Sequence, residues 1–382
     1  MDRTQPLVGP MPLDAGLAAI DLFSRDRSDT DLIAAKCRAL LRGYDARWTP
    51  NEYQVVSVEK MYAGPLQNPD TDRRSRTLEI AGVLDVVAQR DGRLVVIDHK
   101  STSLEIEDPA GSYWRQLVVE GQVSHYMLLL WQAGIKPDEA VWDVMRKPGI
   151  SPKKLSKADR AGVLAFGEYH DAKLSQASLD VLAGGEERET LEMYEARLAH
   201  DCIKERPQHY FQRRTIPRLD KELIDYAREL WEHGQELLHV RKTNRHARNS
   251  GACMLYGTPC KFLGICSGYD EPDSDKWARK ACVHNEFPSD LVRGDGRNVL
   301  TNSRIRCFQT CRRKHFYQYE LGIERQDEEE REALLFGTLW HHALAAWWNS
   351  QTKGTVHGDS DSPSDPAGSG LGRYTDEETN PF

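Results

Sequence analysis

Asp85, Asp98 and Lys100 have types and spacing that could do chemistry together. Asp98 and Lys100 are two apart in a β-rich stretch, so the period-two geometry of a strand puts both on one face, while Asp85 ends the core of the preceding strand. Two carboxylates and an ammonium that converge can hold a hard divalent ion where it polarises a phosphate and acidifies water, and can set a cation against the charge that builds at phosphorus. An Asp-x-Lys after an apolar strand is also what a solvated strand end looks like. Gln122 and Tyr126, four apart, share one helix face, which suits a substrate-holding pair or an amphipathic helix with a core Tyr. Cys253, Cys260 and Cys266 have six and five residues between them, with Gly257, Pro259 and Gly264 allowing a compact loop. Three thiolates need a fourth ligand to close a tetrahedral zinc site or a 4Fe-4S cluster. The other reading is three small buried hydrophobes.

The elements that would position these residues are visible in the pattern. Residues 76–100 read as two β-rich runs joined at Arg90-Asp91-Gly92-Arg93, and an Asp-Gly between β-branched runs is a strong hairpin signal. Leu94 to Ile97 is continuously apolar, as in a strand buried on both faces. Apolar residues at helical spacing predict one helix from Tyr113 to Ala133, stopped by Gly134, and Ala140 to Met145 reads as a further strand. Strand, strand, helix, strand makes an α/β unit. Residues 150–250 read as mostly helical, with runs at 156–168, 186–204 and 219–240. Residues 267–300 are polar and turn-rich, 301–349 read as two helices bearing Cys311 and His341, and 350–382 read as a disordered tail.

Composition bounds the rest. With 39% hydrophobic and 29% charged residues the chain has the make-up of a soluble globular protein, and no apolar run approaches the length that spans a membrane. The first residues lack the basic start and apolar stretch of a signal peptide, so the expected compartment is cytoplasmic, where thiols are metal or cluster ligands rather than disulfides. A net charge of −8 argues against wholesale adhesion to nucleic acid but allows a local basic groove, for which Arg241, Lys242, Arg245, Arg248, Arg312, Arg313 and Lys314 are candidates.

Taken together, Gly82-Val83-Leu84-Asp85, Ile97-Asp98-His99-Lys100 and Gln122 to Tyr126 resemble, in order and spacing, the nuclease core of the PD-(D/E)XK superfamily, specifically its RecB-like branch. The resemblance implies an α/β restriction-endonuclease-like core with a mixed sheet flanked by helices. It implies Asp85 and Asp98 as ligands of Mg²⁺ or Mn²⁺, the backbone carbonyl of His99 as a further ligand, Lys100 as the catalytic lysine, and Gln122 and Tyr126 as holders of the substrate strand or the site. The three-cysteine loop is similar to that of the RecB-like nucleases with an iron-sulfur cluster, whose fourth cysteine lies on a helix resembling Ser303 to Tyr317; Cys311, followed directly by basic residues, matches better than Cys307. Zinc stays open from the ligand types alone. Leu335 to Leu344 resembles the family's Gly-x-x-x-His motif, with His341 at the metal-binding position and His342 one residue off, although a His on an apolar helix is often a satisfied core residue.

In the family the cysteine helix and the histidine helix come first; here they come last, a cyclic shift that a circular permutation explains. The alternatives are a second, truncated domain, complementation in trans, or ends set by how the chain was cut. The expected organisation is a nuclease core at 1–149, a helical region at 150–250, a cluster loop at 251–266, a linker at 267–300, the permuted helices at 301–349 and a tail at 350–382. The expected activity is metal-dependent hydrolysis of DNA, exonucleolytic or end-processing with single strands favoured, in recombination, repair, phage DNA metabolism or CRISPR spacer acquisition. The rival readings are a catalytically silent DNA-binding or partner-docking module and a zinc-binding structural protein.

Overall fold

The computed structural model describes residues 11–25, 27, 30–48, 52–255, 257–284, 287, 294–326 and 332–352. The tail expected at 350–382 lies outside them from residue 353 onward.

A mixed sheet runs through the centre. Strands β1 (Gln54–Gln67), β2 (Arg74–Arg90), β3 (Arg93–Thr102), β4 (Glu139–Arg146) and β5 (Phe211–Ile216) lie side by side in that order, and the short β6 (Val299–Leu300) pairs with β2. Only β3/β4 and β6/β2 are parallel. The β2/β3 turn forms as its Asp-Gly requires: Asp91 and Gly92 both have positive φ, 51° and 77°, which matches the twist of a tight hairpin. β3 is apolar on both faces because both are covered. Val95 and Ile97 enter one core with Val86, Ala88 and Val141, and Val96 enters the other with Leu84, Val87 and Trp142.

On the first face pack α1 (Pro12–Ser24), α2 (Asp31–Arg47), α7 (Leu191–His200) and α10 (Glu332–Asn349); the last contributes Trp340, Trp347 and Trp348, each about 1% exposed. On the second face pack α4 (Gly121–Gln132), α8 (Asp220–Thr243) and α9 (Asn302–Thr310). α8 buries Leu223, Ala227, Leu230, Leu237 and Val240 along one stripe. Gly234 belongs to that stripe because a Cβ there would meet Leu66 at 2.3 Å. Two further helices, α5 (Lys157–Phe166) and α6 (Gln176–Ala183), enclose a small separate core around Val163 and Leu182.

Three features differ from the sequence reading. The single helix expected over Tyr113 to Ala133 is two, α3 (Ser112–Val118) and α4, because the chain turns at Val119 and Glu120. There the Arg218 guanidinium takes the carbonyls of Val118 (2.9 Å) and Glu120 (3.4 Å), a tertiary contact that local pattern does not carry. The region read as mostly helical supplies β5, an edge strand of the central sheet, and the stretch read as a linker supplies β6. Residues 301–349 hold α9, a short turn at Arg312–His315, a π-helical turn at Phe316–Glu320, a strand at Ile323–Arg325 and α10.

Candidate metal and catalytic site

β3 carries the centre of the site. Asp98 and Lys100 project to the α4 side, and the Lys100 ammonium lies 2.6 Å from Asp98 Oδ2. It also donates to Gln122 Oε1 at 2.6 Å, while Gln122 Nε2 donates to the Tyr126 hydroxyl at 2.7 Å. The four residues therefore form one connected chain from strand to helix, with the Lys100 ammonium also 5.0 Å from the Trp142 ring centre. Gly82 is needed for this packing, since a Cβ there would stand 3.0 Å from the Tyr126 ring. Asp98 is 1% exposed, and its Oδ1 has no donor within the protein. Burial raises its carboxyl above the usual carboxylate range, with Lys100 opposing and Asp85 adding to the rise.

Asp85 comes from β2, and its Oδ2 accepts the backbone N–H of His99 at 2.7 Å, a bond that ties the two strands at the site. Far along the chain, α10 brings His341 Nδ1 to 4.0 Å from the same oxygen. Burial and the neighbouring His99 push the His341 imidazole down to about 4, so at neutral pH it is an uncharged donor. His342 instead packs its ring against Phe23, 5.5 Å between centres, so the two neighbours have different surroundings.

Sequence reasoning missed one acid. Glu59 lies on β1, where Val58 pairs with Val86 and Lys60 with Leu84, so Glu59 and Asp85 face each other across the pair. The ligand atoms of Glu59, Asp85 and His341 lie within 4.8 Å of one another, the one such group of three acid, cysteine or histidine donors among the described residues. Desolvation and the Asp85 charge raise the Glu59 carboxyl to about 7, although the residue as a whole is exposed. No motif covers β1, and only the strand register reveals the meeting. Asp98 is outside that trio but feels both Asp85 and His341.

The His99 side chain points to the opposite face of β3. There its Nδ1 meets Asp143 Oδ2 at 3.3 Å; the same oxygen accepts the Tyr44 hydroxyl at 2.5 Å and lies 3.2 Å from Arg213 Nε. The arginine is enclosed by the rings of Tyr44, Trp48, Tyr53 and Trp348. This buried network anchors the strand from behind.

Glu59, Gly82, Asp85, Gln122 and Tyr126 line a cleft of about 510 Å³ whose other wall is Thr301, Asn302, Ser303 and Tyr319. Thr301 caps α9 through its side chain, so the anion-favouring end of that helix opens onto the cleft.

A second site lies at the other end of α9. Cys253, Cys260, Cys266 and Cys311 line one small cavity together with Arg248, Arg313 and Lys314; Cys307 is not among its lining residues. Part of the expected basic groove is engaged in structure. Arg241 pairs with Glu320 at 3.0 Å, Arg312 pairs with Glu236, and Arg313 donates to the His246 carbonyl at 2.8 Å.

With this geometry in hand, comparison with known proteins adds one finding. A family model of the PD-(D/E)XK nuclease superfamily matches residues 13–267 and 299–368. The chain belongs to the PD-(D/E)XK nuclease superfamily. No curated protein and no solved structure gives a match. Superfamily members are in general nucleases that use Mg²⁺ or Mn²⁺, and the mixed sheet flanked by helices agrees with that fold. The donor set fits such an ion: the Glu59 and Asp85 carboxylates and the uncharged His341 imidazole lie within 4.8 Å of one another, and the buried Asp98, which feels both Asp85 and His341, has an orphaned oxygen. Among the described residues no helix is long and apolar enough to cross a membrane.

Proposed function

We propose that the protein is a DNA nuclease of the RecB-like branch, hydrolysing phosphodiesters with Asp85, Asp98, His341 and the His99 carbonyl as ligands of Mg²⁺ or Mn²⁺. The observation that carries this reading is the buried Asp98, whose Oδ2 meets Lys100 at 2.6 Å and whose Oδ1 is left without a donor beside Asp85 and His341. A bound divalent ion supplies Lewis acidity to the scissile phosphate and lowers the pKa of water.

The protein's own groups do the rest. Lys100, oriented by Gln122 and close to Asp98, sets an ammonium where negative charge builds in the transition state. Tyr126 fixes Gln122, and Gly82 lets the Tyr126 ring approach β2. The open end of α9 favours a phosphate of the strand lying in the cleft.

The cysteine cavity supports a 4Fe-4S staple. Four thiols from distant segments share one cavity, and Arg248, Arg313 and Lys314 offset thiolate charge. Such a staple suits a cytoplasmic, reducing location. The meeting of α10 with β2, and of Cys311 with the three-cysteine loop, supports helices that complete the nuclease in cis after a circular permutation.

Single-stranded ends are the proposed substrate, of the kind formed in recombination, repair, phage DNA metabolism or spacer acquisition. Incubation with Mn²⁺ and labelled linear and circular single-stranded DNA tests it. Loss of the linear form alone is expected; equal loss of the circle makes the enzyme an endonuclease.

A further inference from the structure

Val118 and Val119 stand in water where α3 breaks from α4, 61% and 83% exposed. Arg218 holds the break, its guanidinium committed to the carbonyls of Val118 and Glu120 and to Ser124 Oγ at 3.1 Å. Both valines line an open groove of about 610 Å³ bounded by that break, α8 and α9, with the buried Leu230 and Ile305 at its base. Scattered exposed valines need no explanation, whereas apolar side chains gathered in a groove with a polar rim mark a binding place.

The rim is acidic. Glu222, Asp225 and Glu229 line it from successive turns of α8, and Glu120 adds a fourth carboxylate from the break. Arg306 is neutralised by Glu120 at 2.9 Å, and Asp225 is paired with Arg228 at 2.8 Å. Glu222 accepts only the backbone N–H of Leu219, and among the described residues neither it nor Glu229 has an ion pair. Such a rim repels a DNA backbone. It does not suit the chain's own residues 353–382 either, which hold six acids against Lys353 and Arg373.

We propose that this groove docks a basic amphipathic helix of a partner protein, with its apolar face on the two valines, Leu230 and Ile305 and its Lys or Arg side chains on Glu222 and Glu229. The proposal does not rest on the nuclease reading. Asn302 lines both this groove and the Asp85 cleft, so an occupant ends beside the cleft and carries positive charge there.

Fluorescence anisotropy of a labelled amphipathic helix built of Leu and Lys, titrated with the full chain, tests this, with melting temperature measured alongside. The wild type is expected to bind that helix and not the same helix with Glu in place of Lys. Val119→Asp, a change at an exposed site, and Glu229→Lys are each expected to weaken binding by about tenfold or more without lowering the melting temperature. Glu168→Lys, the same charge change beside the separate α5–α6 core, is expected to leave binding within about twofold of wild type. No binding to the wild type, or a loss with Glu168→Lys as large as with Glu229→Lys, overturns the proposal and leaves only general attraction to a chain of charge −8. A single-stranded oligonucleotide that displaces the helix makes the groove a DNA path, and self-association that Val119→Asp removes makes its occupant a second copy; either result overturns it.

Discussion

Lys100 and Gln122, one on a strand and one on a helix, are joined by a 2.6 Å hydrogen bond, and through Lys100 the helix reaches Asp98 at 2.6 Å. The Lys100 ammonium, the proposed catalytic group, is thus held from two sides. Lys100→Met is expected to lower the cleavage rate by about 10²–10³-fold, the usual cost of losing one preorganised group at a charged transition state. Mn²⁺ binding should persist in the variant, because Asp98 loses a competitor and no ligand. An equal loss of Mn²⁺ binding and of activity would make Lys100 a structural residue.

The Gln122 bond was legible in the sequence only in part. The Asp-x-Lys strand, the Asp-Gly hairpin and the Gln-x-x-x-Tyr face could be read because each depends on local period and turn chemistry. Glu59 could not be read, since its role comes from the register of β1 on β2. The Arg218 contact that breaks α3 from α4 is tertiary as well. β5 was hidden for another reason: Gln212, Arg213, Arg214 and Thr215 make it polar between Phe211 and Ile216, so neither period nor apolarity announced a strand. His341 and Cys311 were found by resemblance, and their spatial partners became visible only with the fold.

Behind the catalytic strand, Asp143 is 3% exposed and faces Arg213, His99 and Tyr44. Asp143→Ala strands the guanidinium of Arg213 in a mostly buried pocket and should destabilise the protein by about 3–5 kcal/mol in urea unfolding. A loss under about 1 kcal/mol would mean that water or Glu52 takes over the partner role, as an exposed pair would allow.

The Glu59 carboxyl is raised to about 7 from its ordinary 4.5 by desolvation and by Asp85. An acid whose folded pKa lies above its unfolded one keeps its proton in the native state. Its contribution to stability is full below the unfolded value and is lost as pH rises through about 7. The metal-free wild type should therefore lose melting temperature relative to Glu59→Gln between about pH 5 and about pH 8. Mn²⁺ competes with the same proton, so its apparent affinity should rise over that interval. A flat difference between the two proteins across this range contradicts the raised Glu59 carboxyl.

Cys311 lines the cysteine cavity and Cys307 does not. Cys311→Ala should leave the anaerobically purified protein without iron and without absorbance near ~400 nm, while Cys307→Ala keeps both. Equal iron in the two variants would move the fourth thiol elsewhere, and equimolar zinc in the wild type would replace the cluster altogether.

The central claim is metal-dependent hydrolysis at Asp98 and Lys100, and the most direct measurement is cleavage of end-labelled single- and double-stranded DNA by purified protein with Mg²⁺ or Mn²⁺. The account predicts strand shortening that chelation stops, that Asp98→Ala abolishes and that Lys100→Ala slows by about 10²–10³-fold. DNA left intact by the wild type under both metals, or cut equally well by the two variants, contradicts it.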